Sequence, residues 1–285
     1  MKPVISLILL FFIAFDSPKT NDNLTMEDIT VCHAPSATDL FAEFVKDPAF
    51  VNSHVTPRSI NFQNQNGQEI QFTTSGEKGN GYLIKSATPT DKYLFVIHEW
   101  WGLNDQIKEQ TAKLYKDLGN INVLAIDLYD GQVTDDPKKA GQLMGGVKSA
   151  RAEAIIKGAM AYAGSSAEIY TIGWCFGGGW SLQASILLGD QAKGAVMYYG
   201  MPEKDLEKLK SLKVDVLGIW ATERWINADV IAGFEKSMKE ANKNLISHQY
   251  KSNHAFANPS QPSYNEADAK DAYQKTIAFL KERID

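Results

Sequence analysis

The chain has two cysteines, Cys32 and Cys175, and the second sits where a nucleophile could work. Glu168-Ile169-Tyr170-Thr171-Ile172 is a short apolar run with β-branched residues, which predicts a buried strand. It leads into Gly173-Trp174-Cys175-Phe176-Gly177-Gly178-Gly179-Trp180, and residues 181–188 continue as a helix ended by Gly189. Small residues two before and two after a nucleophile, between a strand and a helix, make a nucleophile elbow. The turn is so tight that side chains at the flanking positions would collide, and the middle one is pushed out above the sheet. The helix N-terminus beneath it favours a thiolate or an oxyanion.

A cysteine nucleophile needs a base and an acid that orients the base. On this scaffold they follow the nucleophile in the order acid, then base, on loops after later strands. Of five histidines, His33 and His54 precede the domain, His98 ends a strand, and His248 lies inside the last strand. His254 alone falls in the loop behind that strand, so it is the expected base. The acid belongs after the strand at 214–220, where Glu223 comes first and Asp229 second. Asp229 falls inside the following helix, which favours Glu223. The loop holding Glu99 supplies one oxyanion-hole amide in this architecture, expected from Trp100, and Phe176 supplies the other. Glu99 itself lies close enough to the elbow to hold the thiol or shift its pKa. The Trp100-Trp101 pair fits pocket wall or core equally, and Trp174 and Trp225 are further wall candidates.

The elements that must position these groups can be read in order. Residues 37–50 carry helical apolar spacing (Leu40, Phe41, Phe44, Val45) ending near Pro48, a helix expected on the outside of the domain. Residues 60–62, 69–73 and 81–85 alternate like antiparallel strands with Gly-rich turns between them. The run 93–98 is continuously apolar, as a strand covered on both faces should be. Helices at 107–118 and 138–163, the latter broken at Gly145-Gly146, alternate with strands at 123–128, 194–199, 214–220 and 246–250. A short helix at 203–210, one capped by Asn227, and a last one at 266–281 complete the set. The fold class is therefore α/β: a mostly parallel sheet with helices on both faces, entered by an antiparallel hairpin. The domain is expected from about residue 57 to the end, with 18–56 a partly helical extension.

Composition excludes several classes. The net charge of −5, with no dense basic stretch, argues against a nucleic-acid partner. Two cysteines build neither a disulfide framework nor a zinc site, and the absence of C-x-x-C weakens a thiol-redox role. Lys2 followed by an apolar run from Val4 to Phe15 has the form of a signal peptide, too short to span a membrane comfortably. Residues 1–17 are expected to be removed and the product exported to a periplasm or secreted, without a stable membrane anchor. Cys32 lies too far past that run for lipid attachment.

Four motifs together carry a resemblance. His98-Glu99-Trp100-Trp101-Gly102-Leu103-Asn104, Asp127-Leu128-Tyr129, Gly173-Trp174-Cys175-Phe176-Gly177-Gly178 and His254-Ala255-Phe256-Ala257-Asn258-Pro259 resemble, in order, those of the dienelactone hydrolase family. The resemblance implies an α/β-hydrolase fold, a Cys-Asp-His triad, no cofactor or metal, and ester or lactone substrates. It also implies that Glu99 holds Cys175 in a less reactive state until substrate releases it. Two positions depart from that pattern. Glu223 stands where an Asp is usual, and Asn258 stands where an arginine is expected to grip a substrate carboxylate. The expected function is hydrolysis of a small ester or lactone by Cys175, His254 and Glu223; the alternative is a ligand-binding member with an impaired triad.

Overall fold

The computed structural model describes residues 36–64 and 66–285. The expected signal peptide, Cys32 and His33 lie outside the described residues. Eight strands form one sheet in the order β1-β2-β4-β3-β5-β6-β7-β8. Strands β1 (Gly67–Phe72) and β2 (Gly79–Ile84) enter it antiparallel, and β2 pairs antiparallel with β4 (Asn122–Asp127). The remaining pairs, through β3 (Lys92–Ile97), β5 (Glu168–Trp174), β6 (Ala192–Tyr198), β7 (Val216–Trp220) and β8 (Leu245–Gln249), are parallel.

The strand interiors explain that topology. Every residue of β4 and β7 is buried, as are all but the first of β5. A strand without a polar face must be covered on both sides, and crossover helices do this while joining parallel neighbours. Those helices are α3 (Asp105–Leu118), α4 (Pro137–Gly146), α5 (Ser149–Ala163), α6 (Phe176–Leu188), α7 (Leu206–Ser211), α8 (Ala228–Glu240) and α9 (Glu266–Ile284). Their starts are fixed locally: the side chains of Asn104, Asp136, Asn227 and Asn265 each accept an amide of the first helical turn. Gly119 closes α3 at φ 88°, a conformation that favours glycine.

Two local readings need correction. Residues 60–62 form no strand; Phe62 is instead tied through its amide to Asp105 at the start of α3. Pro48 does not end a helix but begins one. Residues Ala37–Ala42 (α1) lead through a 3-10 turn, Glu43–Lys46, to α2 (Pro48–Ser53), whose first amides are capped by Asp47. Proline suits a first helical position because its missing N–H would have no partner there.

The segment 36–54 belongs to the same compact unit as the sheet. Phe41 and Phe50 are buried within it, each stabilising the contact by roughly 1.5–3 kcal/mol. Its helices pack on α4 and α6, so it lies over the elbow helix.

Candidate active site

Cys175 is 2 % exposed and adopts φ 56°, a left-handed conformation that costs a non-glycine residue energy. The strain is held in place from both sides. The Cys175 amide donates to Tyr198 O at 3.0 Å on β6, and the Cys175 carbonyl accepts from Gly178 N at 3.0 Å. A Cβ on Gly173 would collide with the Gly177 carbonyl, and one on Gly177 with the carbonyls of Ile97 and His98. Those glycines are therefore a condition of the turn, not slack in it.

His254 follows β8, with Glu223 in the loop after β7. Its Nδ1 donates to Glu223 Oε1 at 2.8 Å, and both side chains are more than nine-tenths buried. An acceptor carboxylate fixes the tautomer, leaving Nε2 free of that proton. This Nε2 is buried and has no hydrogen-bond partner; it faces the Cys175 thiol. Burial works against charging His254, but the Glu223 carboxylate and the Cys175 sulfur hold its imidazole well above the ordinary range. Burial pushes the Cys175 thiol up, and Glu99 adds to it, against the opposing pull of His254 and the Phe176 amide. Asp229, the other acid considered, is exposed in the first turn of α8.

A second histidine meets the same thiol. His54, immediately after α2, is 5 % exposed, and its Nε2 lies 3.9 Å from Cys175 Sγ. Its Nδ1 is 2.8 Å from Phe50 O, and a carbonyl can only accept, so Nδ1 carries the proton and Nε2 is bare. Burial, helped by charge on His254, lowers its pKa to about 3. The ring is wedged against Trp100, 4.0 Å between centroids, and Phe50, 4.5 Å.

Glu99 does not bond the thiol. Its Oε2 accepts from Asn258 Nδ2 at 2.5 Å, and burial raises its pKa against that bond. His98 is a strut: its Nδ1 donates to Glu99 O at 2.6 Å while its Nε2 accepts from the Leu128 amide at 3.1 Å, tying the loops after β3 and β4 together. Asp127 tightens the second loop by accepting from the Tyr129 and Gly131 amides. The Phe176 amide faces Sγ, and the Trp100 amide donates to no backbone carbonyl across the described turns and loops.

The sequence profile of the Dienelactone hydrolase family matches residues 80–284. The chain belongs to the dienelactone hydrolase family. Among relatives, protein usf of Aquifex pyrophilus is 28 % identical over 234 residues, covering 76 % of this chain and 99 % of its own. A protein of Saccharolobus solfataricus with the provisional name carboxymethylenebutenolidase is 28 % identical over 259 residues, covering 75 % and 98 %. The crystal structure of a dienelactone hydrolase-like promiscuous phosphotriesterase from metagenomic libraries shares the fold. Its TM-score is 0.66 at 18 % identity, covering 76 % of this chain and 98 % of that one.

The other side chains singled out in the sequence take these places in the dienelactone hydrolase scaffold. Asn258 is not a free substrate contact: its Nδ2 is committed to Glu99, and its Oδ1 accepts from Ser260 N at 2.9 Å and Ser260 Oγ at 2.7 Å. Trp225 stands edge-on to Phe50, 5.1 Å between centroids, and donates Nε1 to Asp47 Oδ2 at 3.2 Å, so it clamps α2. Trp101 is buried against Trp100, whereas Trp174 lines a cleft with Glu99 and Asn258. His54 precedes the domain read from the sequence, yet it reaches Cys175. The family match begins at residue 80 and does not include it. The Asp47-Pro48 helix start sets Phe50 and His54 four residues apart, but nothing in the sequence places them against residue 175.

Proposed function

We propose that the protein is a cofactor-independent hydrolase of small esters or lactones that works through a covalent thioester on Cys175. The observation that carries this reading is the buried, unpartnered Nε2 of His254 facing Cys175, with the opposite ring nitrogen donating to Glu223. In the reading, Sγ attacks the substrate carbonyl and its proton passes to His254 Nε2. Glu223 holds the resulting imidazolium, and the Trp100 and Phe176 amides receive the oxyanion. Collapse breaks the C–O bond, and His254 returns the proton to the leaving alkoxide. His254 then takes a proton from water, which attacks the thioester and frees the acid and Cys175. In a lactone the leaving alcohol stays tethered until this second step.

The near-complete burial of Cys175 beneath His54 favours a second reading, a ligand-binding protein that reacts once and does not turn over. A panel of p-nitrophenyl esters and lactones, read as kcat/KM for wild type and Cys175→Ala, decides between them. Repeated turnover that disappears with Cys175→Ala supports the hydrolase; one equivalent of product and no more supports the binding protein. The charged start and short apolar run support export as the protein's destination.

A further inference from the structure

The thiol has too many acceptors. His54 Nε2 and His254 Nε2 both approach Cys175 Sγ, and the three atoms lie within 4.8 Å of one another. Each ring already gives its Nδ1 proton away, His54 to the Phe50 carbonyl and His254 to Glu223. A thiol has one proton to share between two bare nitrogens. If His254 instead takes that proton and donates it back to the thiolate, His54 Nε2 is still left without a donor. Either way one buried ring nitrogen has no donor among the surrounding protein groups, an arrangement that is costly unless something electron-poor enters it.

We propose that His54, Cys175 and His254 form a binding site for a thiophilic divalent cation of the zinc type, and that its occupancy switches the nucleophile off. The expectation of no zinc site counted cysteines alone; the donor set here is one soft thiolate and two imidazoles, which suits zinc and its neighbours and not magnesium or calcium. Zinc bonds of about 2.3 Å to sulfur and about 2.0 Å to nitrogen, set tetrahedrally, place each nitrogen about 3.5 Å from the sulfur and the nitrogens about 3.3 Å apart. The His54–Cys175 separation is 3.9 Å and all three donors lie within 4.8 Å, so small side-chain movements draw them onto one ion. The surroundings also fit. Ring nitrogens opposite a metal usually donate to a carboxylate or a carbonyl, and here one does each. Among the donors and their hydrogen-bond partners the charge also closes: a dication, the Cys175 thiolate and the Glu223 carboxylate sum to zero. Binding releases the thiol proton to solvent and leaves a fourth coordination position for water.

The site shares Cys175 and His254 with the reading under Proposed function, but its test does not depend on turnover. Cobalt(II) is the probe, added without oxygen to chelator-treated full chain in a Cys32→Ser background, which removes the other thiol. The expected result is a thiolate-to-cobalt charge-transfer band and an intense tetrahedral visible band that saturate at one equivalent. Zinc should displace both. The bands should vanish with Cys175→Ala, and His54→Ala should weaken binding by about a hundred-fold or more. His54→Cys keeps a donor and should restore binding with a stronger charge-transfer band from two thiolates, which decides the matter even where His54→Ala fails to fold. No band at one equivalent, or a band indifferent to both His54 variants, overturns the proposal. A protein that binds cobalt in this way but hydrolyses nothing would contradict the hydrolase reading alone.

Discussion

Glu223 contacts His254 across 2.8 Å with one methylene more than the aspartate usual at that place, and the pair is almost wholly buried. The longer side chain is accommodated because the donor and acceptor still meet at hydrogen-bond distance. Glu223→Gln keeps the shape but offers an amide that can favour the wrong imidazole tautomer. The analogous change in a serine triad costs about four orders of magnitude in kcat. A cysteine is intrinsically more acidic, so a loss of roughly a hundred- to a thousand-fold is expected here. Asp229→Asn, on the exposed first turn of α8, should leave kcat within a few-fold; steady-state kinetics of both variants checks the assignment. His54 gives a second expectation, this one in stability. Its pKa of about 3 lies below the unfolded value of 6.5, so the unfolded chain binds the extra proton between those limits. Stability therefore falls as pH drops from 6.5 towards 3, by about 2 kcal/mol at pH 5 from this residue. Urea unfolding at pH 7 and pH 5 should show His54→Leu losing less stability on acidification than wild type. Equal losses would mean that His54 is charged in the folded protein.

At the scale of elements, the parallel strands were legible because continuous apolar runs admit few other readings, and the elbow because its glycines are forced by backbone contact. One helix start, that of α8, was legible from its capping side chain, Asn227. What the sequence did not disclose was contact between distant segments. Nothing in residues 48–54 says that α2 will lie across a loop reached 120 residues later, and nothing in Asn258 says that Glu99 will occupy its amide. That second contact changes an expectation about substrate. An arginine in place of Asn258 would sit against the Glu99 carboxylate, and the ion pair would consume the charge meant for a substrate. Lacking that arginine, the protein is expected to favour neutral esters over anionic lactones, and Asn258→Arg to leave that ratio of kcat/KM within a few-fold. A marked gain on the anionic lactone would show that Glu99 is protonated or turned away. The α2 packing is tested separately. Phe50→Ala removes a buried ring touching Phe41, His54, Trp100 and Trp225, at a cost of about 3–5 kcal/mol. By loosening the cover it should also speed the reaction of Cys175 with a small disulfide reagent in the native state.

For the whole molecule, one sheet organises everything: the loops behind β3, β5, β7 and β8 converge on Cys175, and the segment before the family's matched region closes over it. Among the described residues no helix is long and apolar enough to cross a membrane. The export expectation rests on the sequence and predicts that protein from the native host lacks residues 1 to about 17; an intact mass of the full-length chain would contradict it. The central claim is chemical, and rapid mixing with a p-nitrophenyl ester followed by peptide mass mapping tests it most directly. The account predicts a burst of one equivalent of p-nitrophenol, an acyl group located on Cys175, and continued turnover as that group disappears. Steady hydrolysis with no acyl group on Cys175, or hydrolysis undiminished in Cys175→Ala, would contradict it.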